Sequence, residues 1–153
     1  MKAHFRPMIL AGLLASGSVL AAGDPVVSEP KDPVLEKVTA ATKKQDWASA
    51  QAMLRDALAA DPQNANYHNL YAYSVRKGAS PDMNLVFKHY NEALRIDPKH
   101  RGAHEYIGEA YLQVGNVAKA KEHLAQLDKL CFFSCSEYND LKKAISAFEA
   151  KAR

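Results

Sequence analysis

The 153-residue sequence is poor in several things that would point to chemistry. It has two cysteines and one tryptophan. No stretch alternates polar and apolar residues as a half-buried strand must, so a sheet-based fold is excluded. With it goes the thioredoxin-type redox site, whose Cys-x2-Cys sits on a strand-to-helix turn. No Ser/His/Asp order, glycine-rich phosphate loop or dinucleotide fingerprint occurs, and the chain is read as a non-enzyme with no cofactor. No apolar run reaches the ~20 residues of a membrane-spanning helix.

The longest apolar run, residues 8–14, lies between a basic start (Lys2, Arg6) and the small residues Val19-Leu20-Ala21-Ala22. That is the layout of an export signal cleaved after Ala21 or Ala22; Gly12, Ser16, Gly17 and Ser18 break the run too often for an anchor. Gly17 stands where a lipoprotein box would need cysteine. The formal net charge of +3 owes two units to Lys2 and Arg6, so the mature chain carries +1. It contains no Lys/Arg block to follow a phosphate backbone, so nucleic acid is not expected as a partner, nor is stable membrane insertion after cleavage. Residues 23–33 include Pro25, Pro30 and Pro33 and read as an extended linker.

What is present is periodicity. Ala57-Leu58-Ala59-Ala60-Asp61-Pro62 is echoed 36 residues later by Ala93-Leu94-Arg95-Ile96-Asp97-Pro98. Such a period belongs to stacked helix pairs, each burying its apolar face on the next. The sharpest unit is the third, residues 101–130: His104-x2-Ile107-Gly108-x2-Tyr111, a turn at Gly115-Asn116, then Ala120-x3-Leu124. Small Gly108 and Ala120 are expected to let the two helices of the pair approach, with Ile107, Tyr111 and Leu124 filling the space between. The second unit, residues 64–98, opens with Tyr67-x2-Leu70 and closes with Val86-x3-Tyr90 and Pro98; Ser80-Pro81-Asp82 is expected to protrude as its long loop. The first, residues 34–62, is weakest, with an inward stripe of Val34, Val38 and Ala41 and a good second helix through Ala50-x3-Leu54. Trp47 is placed to pack across that pair.

These spacings resemble the tetratricopeptide repeat, over residues 34–130, and the overall layout resembles small exported repeat proteins of Gram-negative bacteria. The resemblance implies an all-α fold, in which antiparallel helix pairs stack as a short superhelical solenoid, and a periplasmic location. It also implies recognition: the first helices of successive units line a concave groove that holds a peptide or a partner's helix. Carried onto this chain, the groove positions are Thr39 and Lys43, His68 and Arg76, then Glu105, Glu109 and Gln113. A protein or peptide partner follows from this, while the oligomeric state does not.

Beyond residue 130 the period ends in Cys131-Phe132-Phe133-Ser134-Cys135, then an amphipathic segment with Tyr138, Leu141, Ile145 and Phe148 on one face. This predicts a capping helix with Ser134 or Ser136 as its N-cap. In an exported chain the two cysteines suggest one disulfide, closing a five-residue loop for about 2 kcal/mol. Two thiolates at this spacing also suit thiol-disulfide cycling or a soft metal such as Cu(I), which makes a redox or copper-handling factor the alternative to a scaffold.

The remaining candidates have plainer readings. His100 and His104, four apart, are read as connector residues because Arg101 and Gly102 separate them at a helix start; His68, His89 and His123 have no partner at ligand spacing. Glu105 and Glu109 stand one turn apart and are read as a solvated or ligand-facing pair, not a general acid and base. Tyr67, Tyr71, Tyr90 and Tyr111 fall on packing positions, while Tyr73 and Tyr106 fit the edge of a groove.

Overall fold

Asx residues and proline set the helix boundaries. The structure, a computed structural model, describes residues 32–133 and 135–152; the expected signal and most of the expected linker, with Ser134 and Arg153, lie outside the described residues. Pro33 needs no N–H at a first helical position, and Asp32 takes the free N–H groups of Val34 and Leu35 at the start of α1 (Pro33–Lys43). Asp46, Asn64, Asp82 and Asn116 cap α2 (Trp47–Ala60), α3 (Ala65–Lys77), α4 (Met83–Ile96) and α6 (Val117–Leu130) in the same way. His100 caps α5 (Arg101–Gln113), its Nδ1 accepting from the Ala103 N–H at 3.1 Å.

The last helix, α7 (Ser136–Lys151), departs from expectation. Its N-cap is Cys135, which makes no side-chain capping bond, and Ser136 lies inside the helix with its hydroxyl on Glu137. Cys135, disulfide-bonded to Cys131, occupies the cap position, and the serine after it is already helical.

The helices pack as three antiparallel pairs, α1/α2, α3/α4 and α5/α6, followed by α7. Beyond these chain neighbours, α3 packs on α5 and α5 on α7. The final helix therefore takes the place of the first helix of a fourth unit and extends the repeat, where the sequence suggested only a lid. Its Leu141 and Ile145 are buried with Leu112, Ala120 and Leu127. The other core cluster runs from Val38 and Leu54 through Tyr71 and Tyr90 to Ile107, and Tyr111 packs against both.

Each Asp-Pro echo does two jobs. Asp61 and Asp97 end α2 and α4, their N–H groups bonding to Ala57 and Ala93. The carbonyls of Pro62 and Pro98 then each meet a histidine Nε2 six residues on, at 3.1 Å: His68 and His104. Connector and following helix are thus bonded alike in consecutive units. At the turns inside the first and third pairs, Gln45 and Gly115 take left-handed backbone (φ 58° and 78°), which only glycine adopts at low cost. The Gly78 to Asp82 connection equals the cysteine loop in length, and Asp82 is spent as the α4 cap.

Gly108 has a different task from the one its spacing suggested. A Cβ there would lie 2.6 Å and 2.8 Å from the two terminal carbons of Leu141. The absent side chain lets α7 approach α5 across units, instead of α6 approach α5 within one. Gly108→Val is expected to cost about 2 kcal/mol by overpacking. In urea denaturation its penalty should shrink when Leu141→Ala opens the space; strict additivity would show that Leu141 is not the obstacle.

Candidate functional site

The exposed side of α3, α5 and α7 forms a groove. Tyr73 and Lys77 from α3, Glu105, Tyr106 and Glu109 from α5, and Asp140, Lys143, Ala144 and Ala147 from α7 surround a depression of about 460 Å³. Through Tyr73 and Lys77 it continues toward Lys43 and Trp47. Through Glu109 and Ala144 it continues to Arg76, Gln113 and Phe148.

One wall is aromatic. Trp47 meets Tyr73 edge-on at 5.9 Å, and Tyr73 meets Tyr106 at 4.7 Å. Trp47 therefore packs on the next unit, beyond the helix pair to which its position assigned it. Arg76 lies beneath this wall with its side chain only 8% exposed. Its Nη2 donates to Glu109 Oε2 at 2.6 Å and its Nε to the Tyr90 hydroxyl at 3.4 Å, with the guanidinium 5.6 Å from the Tyr73 ring centre. Burial works against the Arg76 charge, yet Tyr90 and Glu109 outweigh it and hold its pKa above the usual value.

Glu105 is not the solvated carboxylate its position suggested. It is 9% exposed and has no hydrogen bond or ion pair to any described residue. Burial, and then the charges of Glu109, Asp140 and Glu137, push its pKa up to about 8 against the smaller opposing pull of Arg76. At neutral pH it is mostly the neutral acid. Burial likewise raises the neighbouring Tyr106 to about 12.

The structure thus brings Lys43, Arg76, Glu105, Glu109 and Gln113 to one surface. Thr39 borders a separate depression on α1 with Leu35, Glu36 and Ala40, to which Lys43 also contributes. His68 does not reach the groove. It is buried against α4, its Nδ1 2.8 Å from Nδ1 of His89. The third unit repeats this arrangement, with His104 and His123 paired at 3.0 Å. These pairs escape a search for ligand spacing because their members sit on different helices. Their signal was the shared register, since His68 and His104 keep the same 36-residue step as Pro62 and Pro98. His100 turns away from His104 and bonds Asn66 through Nε2 at 3.0 Å.

Cys131 and Cys135 are joined as a disulfide, Cα atoms 5.7 Å apart, linking the end of α6 to the start of α7. Phe132 and Phe133 project from the loop, 92% and 81% exposed. Among the described residues, no three His, Cys, Asp or Glu side chains converge as a metal would require, and no helix is long and apolar enough to cross a membrane.

No family model matches the chain. Over 82 residues, 54% of its length, it is 30% identical to the TPR repeat-containing thioredoxin TTL4 of Arabidopsis thaliana, of which it spans only 12%. Among solved structures it is similar to the type III secretion translocator chaperone SycD of Yersinia enterocolitica: TM-score 0.67, 13% identity, 78% of this chain and 83% of that one. The chain has a tetratricopeptide-like helical-repeat fold. SycD in complex with a peptide of the translocator YopD is similar to this tetratricopeptide-like chain at TM-score 0.62 and 15% identity, covering 82% of this chain and 100% of that one. PcrH in complex with the chaperone binding region of PopD is similar at TM-score 0.61 and 15% identity, covering 83% and 99%.

Proposed function

We propose that this protein is an exported, non-catalytic adaptor that binds a peptide or partner protein in the groove along α3, α5 and α7. The observation that carries the reading is the groove's construction. A Trp47–Tyr73–Tyr106 wall is held over a buried Arg76 that is paired with the partly exposed Glu109, so the recognising side chains are fixed before any partner arrives, which lowers the entropic cost of binding. The SycD and PcrH structures support it, because two similar chains are seen with peptides or binding regions of other proteins. Export to the periplasm is supported by the amino-terminal signal layout and by the paired cysteines. The disulfide is read as a staple between α6 and α7 that sets where α7 begins.

A photo-crosslinking amino acid tests the surface. At Lys77 or Lys143, exposed beside the groove, it is expected to trap the native partner. At Lys88 on α4 or Asp128 on α6, both exposed on second helices, it is expected to trap little. Equal or stronger crosslinking from the second helices would place the partner elsewhere.

A further inference from the structure

We propose that the pocket between α3, α5 and α7 takes one basic side chain, lysine or arginine, of the bound peptide, its cation resting on Glu105 and over the Tyr73 and Tyr106 rings. This rests on the groove reading above and adds what the groove selects.

Three observations lead there. Glu105 is nine-tenths buried and lines the depression, yet it has no hydrogen bond or ion pair to any described residue. An apolar occupant closing over the pocket would strip water from that carboxyl and give it no partner in exchange, which is costly and disfavours such an occupant. The surroundings select the sign of the missing partner. Glu109 and Asp140 line the same pocket and Glu137 stands near, so an acidic occupant would meet carboxyl groups on two helices. The cation that α3 sends inward, Arg76, is engaged by Glu109 and Tyr90. Lys77 and Lys143 also line the depression, but both are exposed and neither forms an ion pair with Glu105. Finally, two tyrosine rings 4.7 Å apart form the wall beside the acid, and ring faces attract ammonium and guanidinium groups. An aromatic wall beside a buried acid suits a long aliphatic stem that ends in a charge.

The fit carries a proton signature. In the free protein Glu105 holds its proton up to about pH 8. A cation pairs with the ionised form, so binding expels that proton and tightens as pH rises, by up to about tenfold per unit below pH 8. Lysine and arginine stay charged throughout this range.

The test is a random peptide display library selected against the mature protein and against Glu105→Gln, which keeps the shape of the neutral acid. Wild-type protein is expected to enrich peptides with Lys or Arg at one fixed position, and norleucine there should weaken binding at least about tenfold. Glu105→Gln should lose that preference, and the rise of affinity between about pH 6 and 8, while keeping the rest of the motif. A motif without a basic position, or a basic preference unchanged in Glu105→Gln, overturns the inference and leaves the groove standing. Failure to enrich any peptide overturns the groove reading itself.

Discussion

Replacing Tyr90 by alanine is expected to remove about 4 kcal/mol of stability, the range found when a fully buried aromatic ring is deleted from a packed core. Tyr90 has no exposed surface, and its cluster joins the first, second and third units through Leu54, Tyr71, Val75 and Ile107. In a stacked repeat each unit is held by its neighbours, so a cavity in the middle unit weakens both contacts at once. The hydroxyl adds less: it accepts one 3.4 Å hydrogen bond from Arg76, whose other partner, Glu109, remains. Tyr90→Phe should therefore cost only about 1 kcal/mol. Urea denaturation followed by helical circular dichroism separates the two. Equal losses for Phe and Ala would mean that the polar contact, not the ring, holds the units together.

Acidification is the second large effect. Burial first, and the facing imidazole second, hold His89 and His123 at about 4 against an ordinary 6.5. Lys88 and Lys119 act in the same direction, Glu92 and Glu122 against it. Between those values the unfolded chain binds protons that the folded chain refuses. Stability is thus fully present above about pH 6.5 and falls as pH drops toward 4. Both rings are partly exposed, so the full linkage value is discounted to roughly 3 kcal/mol for the two together. Glu105 works in the opposite direction, favouring the fold below pH 4.5 and losing that contribution as pH rises through about 8. The decisive comparison is between wild type and the double variant His89→Gln, His123→Gln. The wild-type melting temperature should fall about 10 °C further on acidification from pH 7 to 4. Parallel curves would show that the histidine pairs carry no acid penalty.

Those pairs show where reading along the chain stops. A period of 36 residues announced stacked helix pairs, and five of the seven helices start at an Asp or Asn cap, because capping is satisfied within a few residues of chain; α5 and α7 start instead at His100 and Cys135. The amphipathic face of Tyr138, Leu141, Ile145 and Phe148 was equally legible. Which helix that face would meet was not, since a stripe of apolar residues names no partner. Gly108 is the clearest instance: its small size was legible, but Leu141, the residue that uses the space, lies 33 positions on.

The groove divides along the same line. Arg76, Glu105, Glu109 and Gln113 were placed by register, and register is a property of one helix. Burial depends on what the next unit covers. That is why Glu105 is a sequestered acid where a solvated one was expected, and why His68 packs on His89 inside the second unit. By itself the sequence determined an all-helical repeat with its period and its cysteine loop, both set by contacts local in the chain, whereas the cap of the last helix fell on Cys135 and not on the serine expected. Only the tertiary structure decided that α7 continues the inner row of helices and walls a pocket lined by Glu105. That outcome arises from packing between units, whose residues are distant in sequence and meet only when the stack is built.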